Sequence, residues 1–274
     1  TISDLRPALG PQRRAGRSIG LVPTMSYLHG GHMALVDRAK AVCDLVVVSI
    51  FVNPTQFGPN EDLASYPRDL EADLALCRTH GVDVVFAPDV AEMYPEPMQT
   101  TIDVSSLSSI LIGIDRPGHF QGVCQIVDKL LNATQPRHLL LGQKDYQQCM
   151  VIQKMIALRN HKVTLHICPT LREAEGLAMS SRNMRLSSAE REAALAIFEV
   201  LNYLKQHLRT GSLDGLEHYA TETLTGKGFA VDYVAIANAG DLSPAIAWDG
   251  SEKLVALVAA TINEVRLIDN LFLN

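Results

Sequence analysis

Residues Ile19 to Val52 read IGLVPTMSYLHGGHMALVDRAKAVCDLVVVSIFV, and the fold is decided within them. Ile19 to Val22 predicts a first strand. His32 to Cys43 carries Leu35, Val36, Ala39 and Val42 at the i, i+1, i+4, i+7 spacing of a helix packed on a sheet. Leu45 to Val52 is then a second strand, and it is apolar at nearly every position rather than at every other one. Such a run is covered on both faces, as central strands of a parallel sheet are. Strand, crossover helix and strand make one βαβ unit.

The same alternation continues outward. Asp69 to His80 predicts a helix closed by Gly81, and Val82 to Ala87 a strand ended by Pro88. Gly122 to Ala133 places Val123, Ile126, Val127 and Leu130 on one helical side before Pro136. His138 to Leu141 is a strand. Tyr146 to Asn160 is a helix with Val151, Met155 and Leu158 facing inward, and Val163 to Ile167 is a last strand. After about Pro169 the pattern changes. Ser187, Ser188 and Glu190 offer a capping box for a long helix through Leu208, which Gly211 ends. A helix at Leu213 to Leu224 precedes strands at Phe229 to Ile236, Lys253 to Ala260 and Glu264 to Ile268. The expected fold is therefore α/β, a Rossmann-like parallel sheet with flanking helices, plus a smaller α+β C-terminal domain. The boundary is expected near residues 170–186, giving a larger domain over 1–175 and a smaller one over 176–274.

Composition narrows the function. The chain has 274 residues, 47% hydrophobic and 20% charged, with 24 Lys plus Arg against 30 Asp plus Glu and a formal charge of −6. That balance leaves no excess positive charge for a phosphate backbone, so no nucleic-acid partner is expected. The longest apolar stretches, Leu45 to Val52 and Leu254 to Ile262, fall far short of the ~20 residues a spanning helix needs. No membrane association is expected. Nothing at Thr1 to Arg17 reads as a secretory leader, so a cytoplasmic enzyme is the expectation. Five cysteines, Cys43, Cys77, Cys124, Cys149 and Cys168, are scattered without a C-x-x-C pair, which argues against a disulfide framework or a thiolate zinc site.

Chemistry concentrates where strands end. In an open parallel sheet, ligands bind beyond the carboxyl ends of strands, where helix N-termini offer N–H groups and a partial positive charge to anions. LVPTMSYLHGGH, Leu21 to His32, spans such a junction, and its His29-Gly30-Gly31-His32 is H-x-G-H. Glycine lets a phosphate approach the backbone and two imidazoles can donate hydrogen bonds to it. A Gly-rich turn with incidental histidines reads the same way. A zinc site is disfavoured, because there is no H-E-x-x-H arrangement and no third ligand at recognisable spacing. Gly142-Gln-Lys-Asp-Tyr-Gln-Gln148 follows another predicted strand, and Lys144 and Asp145 suit a phosphate and a ribose hydroxyl. A solvated loop with Asp145 as helix cap is the alternative. Gly176-Leu-Ala-Met-Ser-Ser-Arg-Asn183 offers two hydroxyls and a guanidinium to a polyphosphate, or is simply a polar turn. Phe51 to Phe57 supplies Asn53 and Gln56, Tyr66-Pro67-Arg68 follows, and Arg116 to Gly122 adds a cation. Polar groups that recur after strands and before helices point to one small-molecule pocket.

Together these segments resemble the pantothenate synthetases, the pantoate to β-alanine ligases, along nearly the whole chain. PTMSYLHGGH is similar to P-T-M-G-x-L-H-x-G-H, SIFVNPTQF to S-I-F-V-N-P-x-Q-F, and RPGHFQGV to R-P-G-H-F-x-G-V. GQKDYQQ resembles G-E-K-D-Y-Q-Q and GLAMSSRN resembles G-L-A-x-S-S-R-N, and the likeness runs to VRLIDN at Val265 to Asn270. The resemblance implies a cytoplasmic homodimeric enzyme of coenzyme A biosynthesis in the wider H-x-G-H nucleotidyltransferase group. It implies ATP and Mg²⁺, with metal ligands unknown, and the substrates pantoate and β-alanine. Pantoate would form pantoyl adenylate with release of pyrophosphate, and β-alanine would displace AMP.

Carried over position by position, the resemblance gives His29 and His32 contacts to ATP phosphates, with His32 stabilising the transition state of adenylyl transfer. Lys144, Ser180, Ser181 and Arg182 would bind phosphates and the departing pyrophosphate. Gly142 and Asp145 would hold the ribose, while Pro23, Thr24, Met25 and Met179 would line the nucleotide site. Gln56 and Gln148 would grip pantoate, with Met25, Asn53, Tyr66 and Arg116 nearby. The domain over 1–175 would bind ATP and pantoate, and the C-terminal domain over 176–274 would serve as a lid hinged just before the Ser-Ser-Arg segment. Two positions depart from the pattern: Ser26 stands for a usual glycine, with a strain of roughly 1 kcal/mol or more if φ is positive there, and Gln143 stands for a usual glutamate. Gln121 occupies a position where some relatives have arginine. Another H-x-G-H adenylyl or cytidylyl transferase, or a nucleotide-binding relative inactivated through Ser26 and Gln143, is the alternative.

Overall fold

The computed structural model describes residues 1–59, 61, 63–96 and 101–274. By its internal contacts the chain divides into two compact units, residues 1–142 with 148–169, and residues 143–147 with 170–274. The short stretch around Lys144 thus groups with the C-terminal residues although it leaves directly from a strand of the first unit.

The first unit runs α1 (Ile2–Arg14), β1 (Ile19–Thr24), α2 (Gly30–Val42), β2 (Leu45–Ile50), α3 (Leu70–Thr79), β3 (Val84–Phe86) and three single-turn helices, α4 (Val90–Met93), α5 (Ser105–Ser108) and α6 (Ile112–Asp115). It continues with α7 (His119–Thr134), β4 (His138–Gly142), α8 (Tyr146–Leu158), which belongs to this unit from Gln148 onward, and β5 (Thr164–Cys168). The five strands form one parallel sheet in the order β3-β2-β1-β4-β5. All six residues of β2 are buried. Val22, Val46, Val48, Ile50 and Leu140 share one cluster with Val36 and Ala39 of α2 and Cys77 of α3. Leu21, Val47 and Leu139, which alternate with them, are equally inaccessible, so the sheet is covered on both faces as the unbroken apolar run requires.

Several boundaries shift for local reasons. β2 ends at Ile50 rather than Val52, and the Phe51 N–H turns to donate to the Thr24 carbonyl at the end of β1. α2 starts at Gly30 because His29 is its N-cap. α7 starts at His119, after a left-handed Gly118, three residues before the expected Gly122. α8 stops at Leu158, whose side chain is 53% exposed rather than inward, while Val151 and Met155 are fully buried as expected. α1 is an addition: Pro7 and Pro11 read as helix breakers, yet a Thr1–Asp4 capping box opens the helix and Leu5 and Leu9 are buried.

The second unit holds α9 (Ser188–His207), β6 (Gly211–Ser212), α10 (Asp214–Gly226), β7 (Ala230–Asn238), β8 (Ala247–Trp248), β9 (Leu254–Ile262) and β10 (Val265–Phe272). Three strands make an antiparallel sheet, β10-β9-β7, and β6 pairs with β8. The expected capping box of Ser187 and Glu190 opens α9. Ile197, Leu201 and Leu204 of α9 pack with Leu224, Ile236, Val258 and Leu267 into a second core. Among the described residues no helix is long and apolar enough to cross a membrane.

One pair on the first sheet gives the fold a pH dependence. His138 Nδ1 on β4 and His166 Nε2 on β5 lie 2.9 Å apart. Burial holds His138 below its ordinary value, with the His166 and Arg137 charges adding to the effect. Burial and the Arg38 charge do the same for His166. The unfolded chain therefore takes up these protons first, so stability is present above the ordinary imidazole value near 6.5 and is lost as pH falls below it. Melting temperature followed from pH 7.5 to 5 should fall through this window, and His166→Gln should flatten the decline. An unchanged slope in that variant would show that other groups set it.

Candidate active site

Within the first unit, the loop between β1 and α2 is held in an uncommon conformation. Ser26 has φ +79° and Tyr27 φ +55°, both in the left-handed region, which costs an L-residue roughly 1–2 kcal/mol each. What holds them is Asp73 of α3, a carboxylate only 2% exposed. It accepts from Ser26 Oγ at 2.6 Å, from the Tyr27 N–H at 2.9 Å and from the Leu28 N–H at 2.6 Å. Hydrogen bonds to a charged group contribute about 1.5–3 kcal/mol each, enough to offset the strain. This loop delivers His29 and His32 to the start of α2. His29 Nδ1 accepts from the Gly31 N–H at 3.1 Å, and His32 Nδ1 accepts from the His29 N–H at 3.2 Å. The two rings lie 4.1 Å apart and tilted by 41°. Because both Nδ1 atoms accept, the neutral rings carry their protons on Nε2. A helix N-terminus flanked by two imidazole Nε2–H donors is suited to an anion.

The amides after β2 form a second group. Asn53 donates to Gln56 Oε1 at 3.2 Å and to the Gly122 carbonyl at 3.0 Å, and Gln56 Nε2 reaches Met25 Sδ at 2.8 Å. Met25, Asn53 and Gln56 are thereby brought together. Tyr94 donates to Asn53 Oδ1 at 2.7 Å; burial raises its phenol above the ordinary value, against the pull of its Thr55 and Asn53 hydrogen bonds. Arg116 pairs with Glu61, Nε to Oε1 at 2.8 Å, and donates to His119 Nε2 at 3.2 Å. His119 Nδ1 donates in turn to the Gln56 carbonyl at 2.8 Å. Burial pushes Glu61 up, but the hydrogen bonds and charge of Arg116 outweigh it and leave the carboxyl below its usual range. Arg116 is thereby held by Glu61 and His119 next to the Gln56 carbonyl, which its Nη2 reaches at 3.4 Å. Tyr66 is buried edge-on against Phe57. Pro23 and Thr24 end β1, where Thr24 Oγ1 donates to the Ser49 carbonyl at 2.7 Å. Gly142 ends β4, and Gln148 is half-buried on α8.

In the second unit, Lys144 and Asp145 lie on a 3-10 turn, Gln143–Asp145. Asn270 of β10 donates to both the Gln143 and the Lys144 carbonyls, at 2.8 and 2.9 Å, and accepts from Gln143 Nε2 at 3.1 Å. Ser180 caps the turn Ser181–Arg185, its Oγ accepting from the Arg182 N–H at 3.2 Å, and Met179 precedes it half-buried. Both turns pack on β10. Asn183 ties the second one down through Glu173 Oε1 and the Ala178 carbonyl, at 3.1 and 3.0 Å. Arg172 makes a two-point contact with the buried Asp269, at 2.5 and 3.0 Å. Burial raises the Asp269 carboxyl, and Arg172 opposes that.

Sequence reasoning missed the supports of these segments: Asp73, Tyr94 and His119 in the first unit and Asn270 in the second. Asn270 and His119 lie inside segments singled out above, so their presence there was the only signal. Asp73 and Tyr94 gave none.

A doubly wound, Rossmann-like α/β sheet with ring-capped histidines after its central strand defines the class of protein. The pantoate–β-alanine ligase profile matches residues 1–272. A pantothenate synthetase of Acetivibrio thermocellus is 46% identical over 273 residues, covering 98% of this chain and 96% of that protein. The crystal structure of pantothenate synthetase from Thermus thermophilus matches with a TM-score of 0.91 at 42% identity, over 100% of this chain and 98% of the other. The pantoate–β-alanine ligase of Francisella tularensis, solved with β-γ ATP and β-alanine, matches with a TM-score of 0.82 at 34% identity, over 100% and 96%. The chain belongs to the pantoate–β-alanine ligase family.

Gly122 is where α7 meets the Gln56 segment. A Cβ there would stand 2.3 Å from the Thr55 carbonyl oxygen and 2.6 Å from the Gln56 nitrogen, both backbone atoms. Gly122→Ala should therefore cost about 1–3 kcal/mol, read as a lower urea midpoint with an unchanged m-value. An unaltered midpoint would mean that the two segments are not in contact.

Proposed function

We propose that the protein condenses pantoate with β-alanine to pantothenate through a pantoyl-adenylate intermediate, using ATP. The observation that carries this reading is the reciprocal cap of His29 and His32 at the N-terminus of α2, an anion-receiving arrangement built from the chain's own rings. A pantoate carboxylate oxygen attacks the α-phosphorus of ATP, the bond to the bridging oxygen breaks and pyrophosphate leaves. The β-alanine nitrogen then attacks the acyl carbon, the bond to AMP breaks and the amine gives up a proton. Positioning and charge stabilisation suffice for both steps, with no covalent enzyme intermediate.

In this reading His29 and His32 donate through Nε2 to the phosphates, His32 where charge grows during transfer. Lys144, Ser180, Ser181 and Arg182 bind phosphates and the leaving pyrophosphate, Gly142 and Asp145 the ribose. Pro23, Thr24, Met25 and Met179 line the nucleotide site. Gln56 and Gln148 hold pantoate, with Tyr66 nearby. Asn53 and Arg116 belong to the pantoate side of the site as well, and both also reach Gln56, at its side chain and its carbonyl. Among the described residues no group of three or more His, Cys, Asp or Glu is disposed to hold a metal ion. Mg²⁺ would enter with the phosphates of ATP, the usual way it is carried into such sites, and no protein ligand is named for it. A homodimer and a cytoplasmic location complete the proposal.

The test is exchange of labelled pyrophosphate into ATP. It should require pantoate and proceed without β-alanine; pure, folded protein that shows no exchange with ATP, pantoate and Mg²⁺ would reject the reading. His32→Ala and Lys144→Ala should each lower the exchange rate by about 10²-fold or more with the melting temperature retained, since each removes a charge-stabilising donor. Near-normal turnover in both would remove these residues from the site.

A further inference from the structure

Asp73 touches none of the groups assigned to substrates, yet it is among the most buried carboxylates of the chain. Its partners are consecutive: Oδ2 takes Ser26 Oγ and the Tyr27 N–H, and Oδ1 takes the Leu28 N–H. The next amide, that of His29, goes to the His32 ring, and that of Gly31 goes to the His29 ring. Side chains thus take up the amides on either side of the point where the loop becomes helix. Ser26 Oγ also sits 3.4 Å from the Asp69 N–H, at the cap of α3, and Asp73 lies in the first turn of that helix, where its dipole favours a carboxylate. We propose that Asp73 is a positioning residue for adenylyl transfer, latching Ser26, Tyr27 and Leu28 to α3 so that the reciprocal cap of His29 and His32 closes in register. This rests on the functional reading above.

The chemistry of the latch is specific to a carboxylate. Both oxygens accept, so an isosteric asparagine has to set its NH₂ against one of the backbone N–H groups, and at least one bond is lost. Ser26 contributes a further point. At φ +79° a glycine would carry no steric burden and an alanine would carry all of it; serine carries the burden together with the hydroxyl bond to Asp73. The latch therefore predicts an order at position 26: the alanine variant loses more than the glycine variant, because only the former keeps the strain without the bond.

The experiment compares Asp73→Asn, Ser26→Ala and Ser26→Gly in full-length protein by three readouts: pantoate-dependent pyrophosphate exchange, hydrogen exchange of the Tyr27 and Leu28 amides, and nitrogen NMR of the imidazoles without ligand. Asp73→Asn should lower kcat of exchange by about 10-fold or more, with KM for pantoate within about 3-fold, because misplaced histidines weaken the transition state rather than substrate binding. It should also deprotect both amides and mix the ring tautomers. Ser26→Ala should lower kcat further than Ser26→Gly. Folded Asp73→Asn with wild-type ring signals and kcat within about 2-fold would overturn the proposal. Should that variant fail to fold, equal kcat in Ser26→Ala and Ser26→Gly would overturn it instead. Wild-type protein that exchanges no pyrophosphate, but whose amides and rings respond to Asp73→Asn, would sink the functional reading and leave the latch standing.

Discussion

Parallel strands covered by helices on both sides cannot carry polar side chains along their length without leaving them unsatisfied. In the first unit β2 is buried at all six positions and β1 at five of six. Along β1 and β2 the hydrogen-bonding side chains, Thr24 and Ser49, come only toward the carboxyl ends, and the Ser49 hydroxyl, fully buried, is left without a hydrogen-bond partner among the described residues. The strand order places that edge to use. β1 lies between β2 and β4, where the strand order reverses, the kind of point beside which open α/β sheets bind ligands. Thr24 and Gly142 stand at the carboxyl ends of β1 and β4.

Loops leaving that edge have no ladder to fix them, and the structure fixes them with buried polar side chains instead. Asn53, Asp73, Asn183 and Asn270 are each nearly inaccessible, and each bonds to backbone or amide groups of a segment assigned to substrate binding. Removing one partner from such a contact strands a desolvated group at a cost of about 1–3 kcal/mol. The geometry of the loops is therefore set by the protein before any ligand arrives, as electrostatic stabilisation of a transition state demands. Glycine plays the complementary part at Gly122, where the absence of a side chain lets α7 come up against the Gln56 backbone.

How much of this could be read from sequence depends on the range of the interaction. The strands and the long helices were legible because burial and period are local properties: the unbroken apolar run at Leu45 and the capping box at Ser187 each signal within a few residues. α1 was hidden by Pro7 and Pro11, whose propensity is overridden by the burial of Leu5 and Leu9. The segments around His29, Gln56, Lys144 and Ser180 stood out by composition. Their supports did not. Asp73 lies in an acidic, amphipathic stretch that reads as a solvated helix face, and its partners are more than forty residues away. Arg116 reads from the sequence as a cation, and nothing near it in sequence marks Glu61, 55 residues away, as its partner.

The two departures from the family pattern can be weighed on the same terms. Ser26 does occupy a left-handed site, so it bears the strain expected of a non-glycine residue there, but its hydroxyl gains a buried carboxylate that a glycine could not engage. Gln143 exchanges a charge for an amide, and that amide donates to Asn270 while Asn270 donates to the carbonyls of Gln143 and Lys144. A carboxylate can only accept; placed there it would meet the Asn270 oxygen, and reversing the Asn270 amide would turn that oxygen on two carbonyls. Glutamine suits the orientation Asn270 adopts in this chain. Each substitution is thus matched by a partner drawn from a distant element, and neither deletes a donor assigned to phosphate or pantoate. A chain drifting out of function has no reason to retain such matched contacts, which weighs against an inactive relative and for a working ligase.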